Sequence, residues 1–262
     1  MSSNKESTAR TLIVAFIVSL VASVFVAGSA IYLKPAQQQN RLLDRQRSIL
    51  AIAGIGGARL SAGEVRALFE RRIEAQVVDL TTGEVSTQFD PASFDALKAA
   101  KDPKTSAELP GNKDIALIKR RERFTTVYRL VKDDGSSELE ALILPVRGYG
   151  LWSTLHGFLA IKPDLNTVVG LGFYQHGETP GLGGEVDNPK WKALWPGKTL
   201  FDDEGHTAIK VVKGVAAQGA PHQIDGLAGA TLTSEGVNKL LDFWLSEQGF
   251  GPYLDKLRRN GA

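Results

Sequence analysis

From Thr11 to Leu33 the chain reads TLIVAFIVSLVASVFVAGSAIYL, an unbroken apolar run without a charged side chain. As a helix rising 1.5 Å per residue it is roughly 34 Å long, enough to cross a hydrocarbon layer of about 30 Å. Ala27-Gly28-Ser29-Ala30 resembles a small-residue cleavage site. The run exceeds the roughly 7–15 residues of a signal sequence, however, so an uncleaved single span is expected. The chain then divides into an N-terminal tail (1–10), a transmembrane helix (11–33) and a soluble domain (34–262).

Beyond the span the pattern becomes amphipathic. Leu42, Leu43, Gln46, Ile49, Leu50 and Ala53 fall on one helical face, which Gly54, Gly56 and Gly57 end. A second helical pattern runs over 61–80, opening at Ser61 with Glu64 three residues on, the signature of a capping box. Val65, Leu68, Phe69 and Ile73 supply its apolar stripe. Residues 90–119 are broken by lysine, aspartate and proline and read as surface loops with a possible boundary. From Phe124 the period changes to that of strands in FTTVYRLV, ELEALILPVRGYG, HGFLAIKP, TVVGLGFYQH and AIKVVKG. Val237, Leu240, Leu241, Trp244 and Leu245 then mark an amphipathic helix stopped by Gly249. The expected class is α+β, with helices flanking a sheet-rich middle.

Composition narrows the function by exclusion. A net charge of +2 gives no reason to expect nucleic acid. With no cysteine in the chain, disulfides, thiolate catalysis and cysteine-held clusters are excluded. Orientation is weakly marked: Lys5 and Arg10 precede the span, whereas Lys34, Arg41, Arg45 and Arg47 follow it. Positive residues alone slightly favour an external N-terminus.

Three loops hold the candidate chemistry. In DGLAGATLTS (225–234), Gly226, Gly229 and Ala230 leave the backbone open to close approach. Thr231, Thr233 or Ser234 is placed to cap the following helix, whose terminus favours an anion. That pattern fits a bound phosphate or simply a capped helix. In QHGETPGLGGEV, glycine and proline fix a loop suited to walling a ligand, with His176 and Glu178 too isolated for a metal site. Ser153, His156, His176 and nearby aspartates supply hydrolase residue types without a nucleophile elbow. In GYGLWSTLHG, Trp152 is either core or a flat face for an aromatic ligand.

Asp225-Gly-Leu-Ala-Gly-Ala-Thr231 resembles the flavinylation motif of the FMN-binding domain family, and GYGLWS, HGETPGLGG, KVVKG and ATLTSEGV extend the match. QQQNRLLDRQRSILAIAG after a single anchor is similar to the family of C subunits of sodium-translocating NADH:quinone oxidoreductases. Ala228 stands where that family commonly has serine. The resemblance implies FMN joined through its phosphate to Thr231 by a flavin transferase that uses FAD and a divalent metal. It implies Trp152, Thr179 and Leu182 along the isoalloxazine, with His176 and Glu178 shaping that wall. Asp225, Gly229 and Ala230 belong to the attachment loop, and Thr233 and Ser234 to cap or phosphate contacts.

The implied protein is an electron-relaying flavoprotein of the bacterial inner membrane, within a respiratory complex of other subunits that reduces ubiquinone. Its flavin domain is expected in the periplasm, against the charge count. No catalytic acid or base and no metal ligand is expected in this chain. It has no dinucleotide fingerprint, so NADH is expected on another subunit. Sodium transport is not expected from a lone helix without intramembrane charge. Two other readings are a flavin subunit of a ferredoxin:NAD oxidoreductase complex and an anchored binding module without flavin. The NRLLDRQRSIL stretch argues against the first.

Overall fold

The computed structural model describes residues 8–56 and 60–260. Lys5 of the charge count and Gly57 of the expected helix stop lie outside the described residues. The first element, α1 (Thr8–Ile52), is one continuous helix that runs through Pro35. Its apolar stretch is long enough to cross a membrane and its side chains there are exposed. The chain forms two units, the second beginning at Arg45 within α1. In that second unit Ile49, Leu50 and Ala53 are buried as the helical face requires, whereas Leu42, before it, is exposed. Gly54, at φ +80°, takes the left-handed conformation that turns the chain out of the helix.

The expected capping box opens α2 (Ala62–Arg72): Ser61 accepts from the Glu64 N–H, and the Glu64 carboxylate accepts from the Ser61 N–H. The helix is shorter than its apolar pattern suggests. Ile73–Asp79 forms a strand, β1, paired residue for residue with Leu130 to Phe124. Val77 and Val78, both fully buried, are better accommodated on a pleated sheet than in a helix. The partner strand decided a stretch that helical spacing alone misassigns.

β1 lies in a six-stranded antiparallel sheet with β2 (Glu84–Ser86), β5 (Phe124–Val131), β6 (Leu139–Tyr149), β7 (Thr154–Ile161) and β8 (Val168–Gln175). The order across it is β2-β1-β5-β6-β7-β8. The segment expected as loops and a boundary instead contributes α3 (Ala96–Lys101) and β3 (Ser106–Glu108) to the same unit, β3 pairing with β4 (Arg120–Glu122) just beyond it. Phe89 gathers Phe94 and Phe124 around it at centroid distances of 4.9 and 5.0 Å, which ties this segment to β5.

The chain continues through a 3-10 turn (Gly183–Asp187) and α4 (Pro189–Lys192). The AIKVVKG stretch yields only β9 (Lys210–Val211), paired in parallel with β10 (Gln223–Ile224). Next comes α5 (Thr231–Leu245), which buries Val237, Leu240, Leu241, Trp244 and Leu245. It packs on β6 so closely that a Cβ at Gly148 would lie 2.8 Å from that of Leu240. α5 ends before Gly249, and a further helix, α6 (Gly251–Asn260), follows. The latter escapes notice in sequence because few apolar positions mark it; Tyr253 and Leu254 are its buried ones.

Candidate functional site

At the start of α5 the three candidate hydroxyls have separate fates. Thr231 is the first helical residue and is exposed. Thr233 is buried and donates its hydroxyl to Glu178 Oε2 at 2.7 Å. Ser234 is buried, donates to the Ala230 carbonyl and accepts from the Leu227 N–H at 3.2 Å. None of them is the cap. The N-cap is Ala230, whose methyl cannot accept a hydrogen bond, so the capping expected of these residues is corrected. First-turn N–H groups therefore lack the usual side-chain oxygen, and the helix dipole there favours an anion.

Gly229 sits at φ +71°, and a Cβ there would come 3.0 Å from Leu182 Cδ2. Leu182 is thus drawn against the loop that leads into α5, yet it stays 44% exposed. Thr179 is exposed too, and its carbonyl accepts from the Leu182 and Gly184 N–H groups, folding the HGETPGLGG loop back on itself. Trp152 is 66% exposed, which excludes the core alternative for this indole. Nearby in sequence to these loops, Leu232 and Val215 are exposed as well. Leu232 is legible in retrospect, because it falls off the apolar face of α5.

The Glu178 carboxylate is engaged from within the fold. It is buried, and Oε1 accepts from the backbone N–H groups of Leu151, Trp152 and Ser153 at 3.1, 3.0 and 3.2 Å. Burial alone would raise its pKa; the Thr233 hydroxyl and those N–H groups outweigh burial and hold it below the ordinary carboxylate value. Two glycines make room for it. A Cβ at Gly150 would lie 2.7 Å from Oε1, and one at Gly183 would lie 2.7 Å from Oε2 and 2.5 Å from Thr233 Oγ1. The glycine-rich flanks of Trp152 and of HGETPGLGG were the available signal for these positions.

Both ring nitrogens of His176 are engaged. Its Nδ1 accepts from the Glu178 N–H and its Nε2 lies 2.8 Å from Asp187 Oδ2, which assigns the proton to Nε2. Ser153 Oγ accepts from the Gly177 N–H at 2.6 Å, and His156 Nδ1 is buried without a hydrogen-bond partner among the described residues. No hydrogen bond joins Ser153 to His156 or His176 among the described residues, so no nucleophile–base pair is assembled. Asp225 holds the neighbouring loop: its carboxylate accepts from the Ala216 N–H and its carbonyl from Trp191 Nε1, at 2.8 and 2.9 Å.

The site thus offers a solvent-facing hydroxyl at a helix terminus, a glycine cradle, and exposed Trp152 and Leu182 on two tethered loops. These features fit a flat aromatic group carrying a phosphate. The FMN-binding domain model matches residues 150–246, from the turn before Trp152 to the end of α5. The chain is 64% identical over 262 residues to the C subunit of Na(+)-translocating NADH-quinone reductase from Pseudomonas aeruginosa, covering 99% of both chains. It is 46% identical to the protein of that name from Vibrio anguillarum, covering 100% of this chain and 99% of the relative. The crystal structure of Shewanella oneidensis NqrC superposes with a TM-score of 0.77 at 37% identity, over 86% of this chain and 99% of that one. On identity sustained along its whole length, a shared fold and a matching domain, the chain belongs to the NqrC family, the C subunits of Na(+)-translocating NADH-quinone reductases.

Proposed function

We infer that this chain is a membrane-anchored flavoprotein that holds FMN on Thr231 and relays electrons as one subunit of a sodium-translocating NADH:quinone oxidoreductase. The observation that carries this reading is the separation of the hydroxyls: Thr233 and Ser234 are buried and engaged, whereas Thr231 is exposed. Only an exposed hydroxyl is open to a second enzyme. For attachment from FAD, the Thr231 oxygen bonds to the FMN-side phosphorus, adenosine monophosphate leaves and the hydroxyl proton is released. The α5 terminus favours the resulting phosphodiester anion. Trp152 and Leu182 supply apolar cover for the ring, with the Thr179 loop beneath Leu182. FMN, once bound, supplies the redox chemistry; the chain positions it and limits its contact with water.

Thr231→Ala is expected to abolish flavin fluorescence in the denatured band on a gel, whereas Thr233→Ala retains it. Fluorescence persisting in the Thr231 variant would move the attachment elsewhere. The span at 11–33 anchors the chain in a bacterial inner membrane with its flavin domain in the periplasm. The chain has no cysteine, so single cysteines test this directly. An impermeant thiol reagent on intact cells is expected to label Thr87→Cys and not Ser3→Cys, a position outside the described residues. The reverse labelling would invert the orientation.

A further inference from the structure

Glu178 links three pieces of chain that no single element joins. Its carboxylate gathers successive N–H groups of the turn at 151–153, a backbone arrangement that forms an anion-binding concavity. The Gly150 N–H donates to the Ser153 carbonyl at 2.8 Å and closes that turn. The other carboxylate oxygen takes the Thr233 hydroxyl from the first turn of α5, two residues from Thr231. Glu178 itself stands in the HGETPGLGG loop that carries Thr179 and Leu182. No arginine or lysine pairs with it among the described residues; neutral donors satisfy it, each directional and most of them backbone.

We propose that Glu178 is a positioning residue for the flavin: it fixes the turn bearing Trp152 to the α5 terminus bearing Thr231. This rests on the reading of Thr231 as the FMN attachment point. The exposed indole is held by its backbone rather than by packing of its ring, so its direction depends on that carboxylate. Gly150 and Gly183 are required because any side chain there would occupy the place of Glu178 or Thr233. Glu178→Gln keeps the shape but replaces one acceptor oxygen by an amide that meets N–H or O–H donors head-on.

The test uses the full-length, flavin-loaded chain in detergent. In Glu178→Gln, amide exchange at 151–153 is expected to rise roughly 10- to 100-fold, as loss of hydrogen bonds to a charged group implies. Flavin fluorescence anisotropy is expected to fall while covalent flavin content is retained. Thr233→Val, which removes only the α5 arm, shifts anisotropy less in the same direction, and Thr233→Ser restores the wild-type value. If the glutamine variant does not fold, the Thr233 pair carries the comparison. Unchanged exchange, or faster exchange with unchanged anisotropy in both variants, would overturn the positioning role. A wild-type chain without covalent flavin would overturn the attachment reading and this inference with it.

Discussion

Two tryptophans, one on α5 near its C-terminal end and one on the turn that Glu178 ties to the N-terminal end of α5, have opposite surroundings. Trp244, on α5, is 1% exposed, donates Nε1–H to the Arg147 carbonyl and lies under the Arg147 guanidinium. Arg147 in turn makes a two-pronged ion pair with buried Glu122, at 2.7 and 2.6 Å. Trp152, on the tied turn, is 66% exposed, and the carboxylate beneath it is satisfied by neutral donors. One carboxylate is balanced by a cation that also lies over the Trp244 ring. The other organises backbone and leaves an indole facing outward. The contrast separates side chains that hold the fold together from side chains that the fold holds out for use.

The largest effect is expected at the closed end. Trp244→Ala removes a buried ring and leaves the Arg147 carbonyl without its donor, at a cost of about 3–5 kcal/mol. Denaturant melts of the full-length chain would measure this; a loss below about 1 kcal/mol would contradict the role given to that end.

Acid is expected to loosen the same end first. Burial, aided by Arg147 and Lys101, pushes His156 from 6.5 down to about 4. The unfolded chain therefore binds a proton at His156 before the folded chain does. That contribution to stability is full above pH 6.5 and is lost as pH falls towards about 4. Glu178 is held below its ordinary 4.5, so its contribution is full above pH 4.5 and is lost only below it. His156→Gln should flatten the stability profile between pH 6.5 and 4; an unchanged slope there would sink this assignment.

The smallest change in stability is expected at the open end. Trp152→Ala should shift stability by no more than about 0.5 kcal/mol, because its ring is mostly in solvent. Covalent flavin should remain, with altered emission from a ring more accessible to water. A substantial loss of stability with an unperturbed flavin spectrum would show that Trp152 serves the fold instead.

Much of this was legible along the chain. The span, the capping box, strands β5 to β8 and the apolar face of α5 follow from local pattern, because each rests on spacing within one segment. The candidate attachment loop was legible too, through its glycines and clustered hydroxyls. What pattern could not divide was the labour within that loop. Thr231, Thr233 and Ser234 are chemically similar, and their contacts divide them: Thr233 turns to Glu178, 55 residues away, and Ser234 to Leu227 and Ala230, while Thr231 stays exposed.

The same division applies to the whole molecule. Sequence by itself determined the membrane-length apolar helix and the α+β class, because short-range periodicity encodes them, and it carried the family resemblance in its motifs. Only the tertiary structure decided that Ile73–Asp79 is a strand, since its pairing partner lies at 124–130. Only it decided that Trp152 is exposed and Trp244 buried, because exposure depends on what the rest of the chain packs against each ring. Glu178 shows the reason most directly: a carboxylate takes its role from the donors that reach it, and here they come from two segments far from it in sequence.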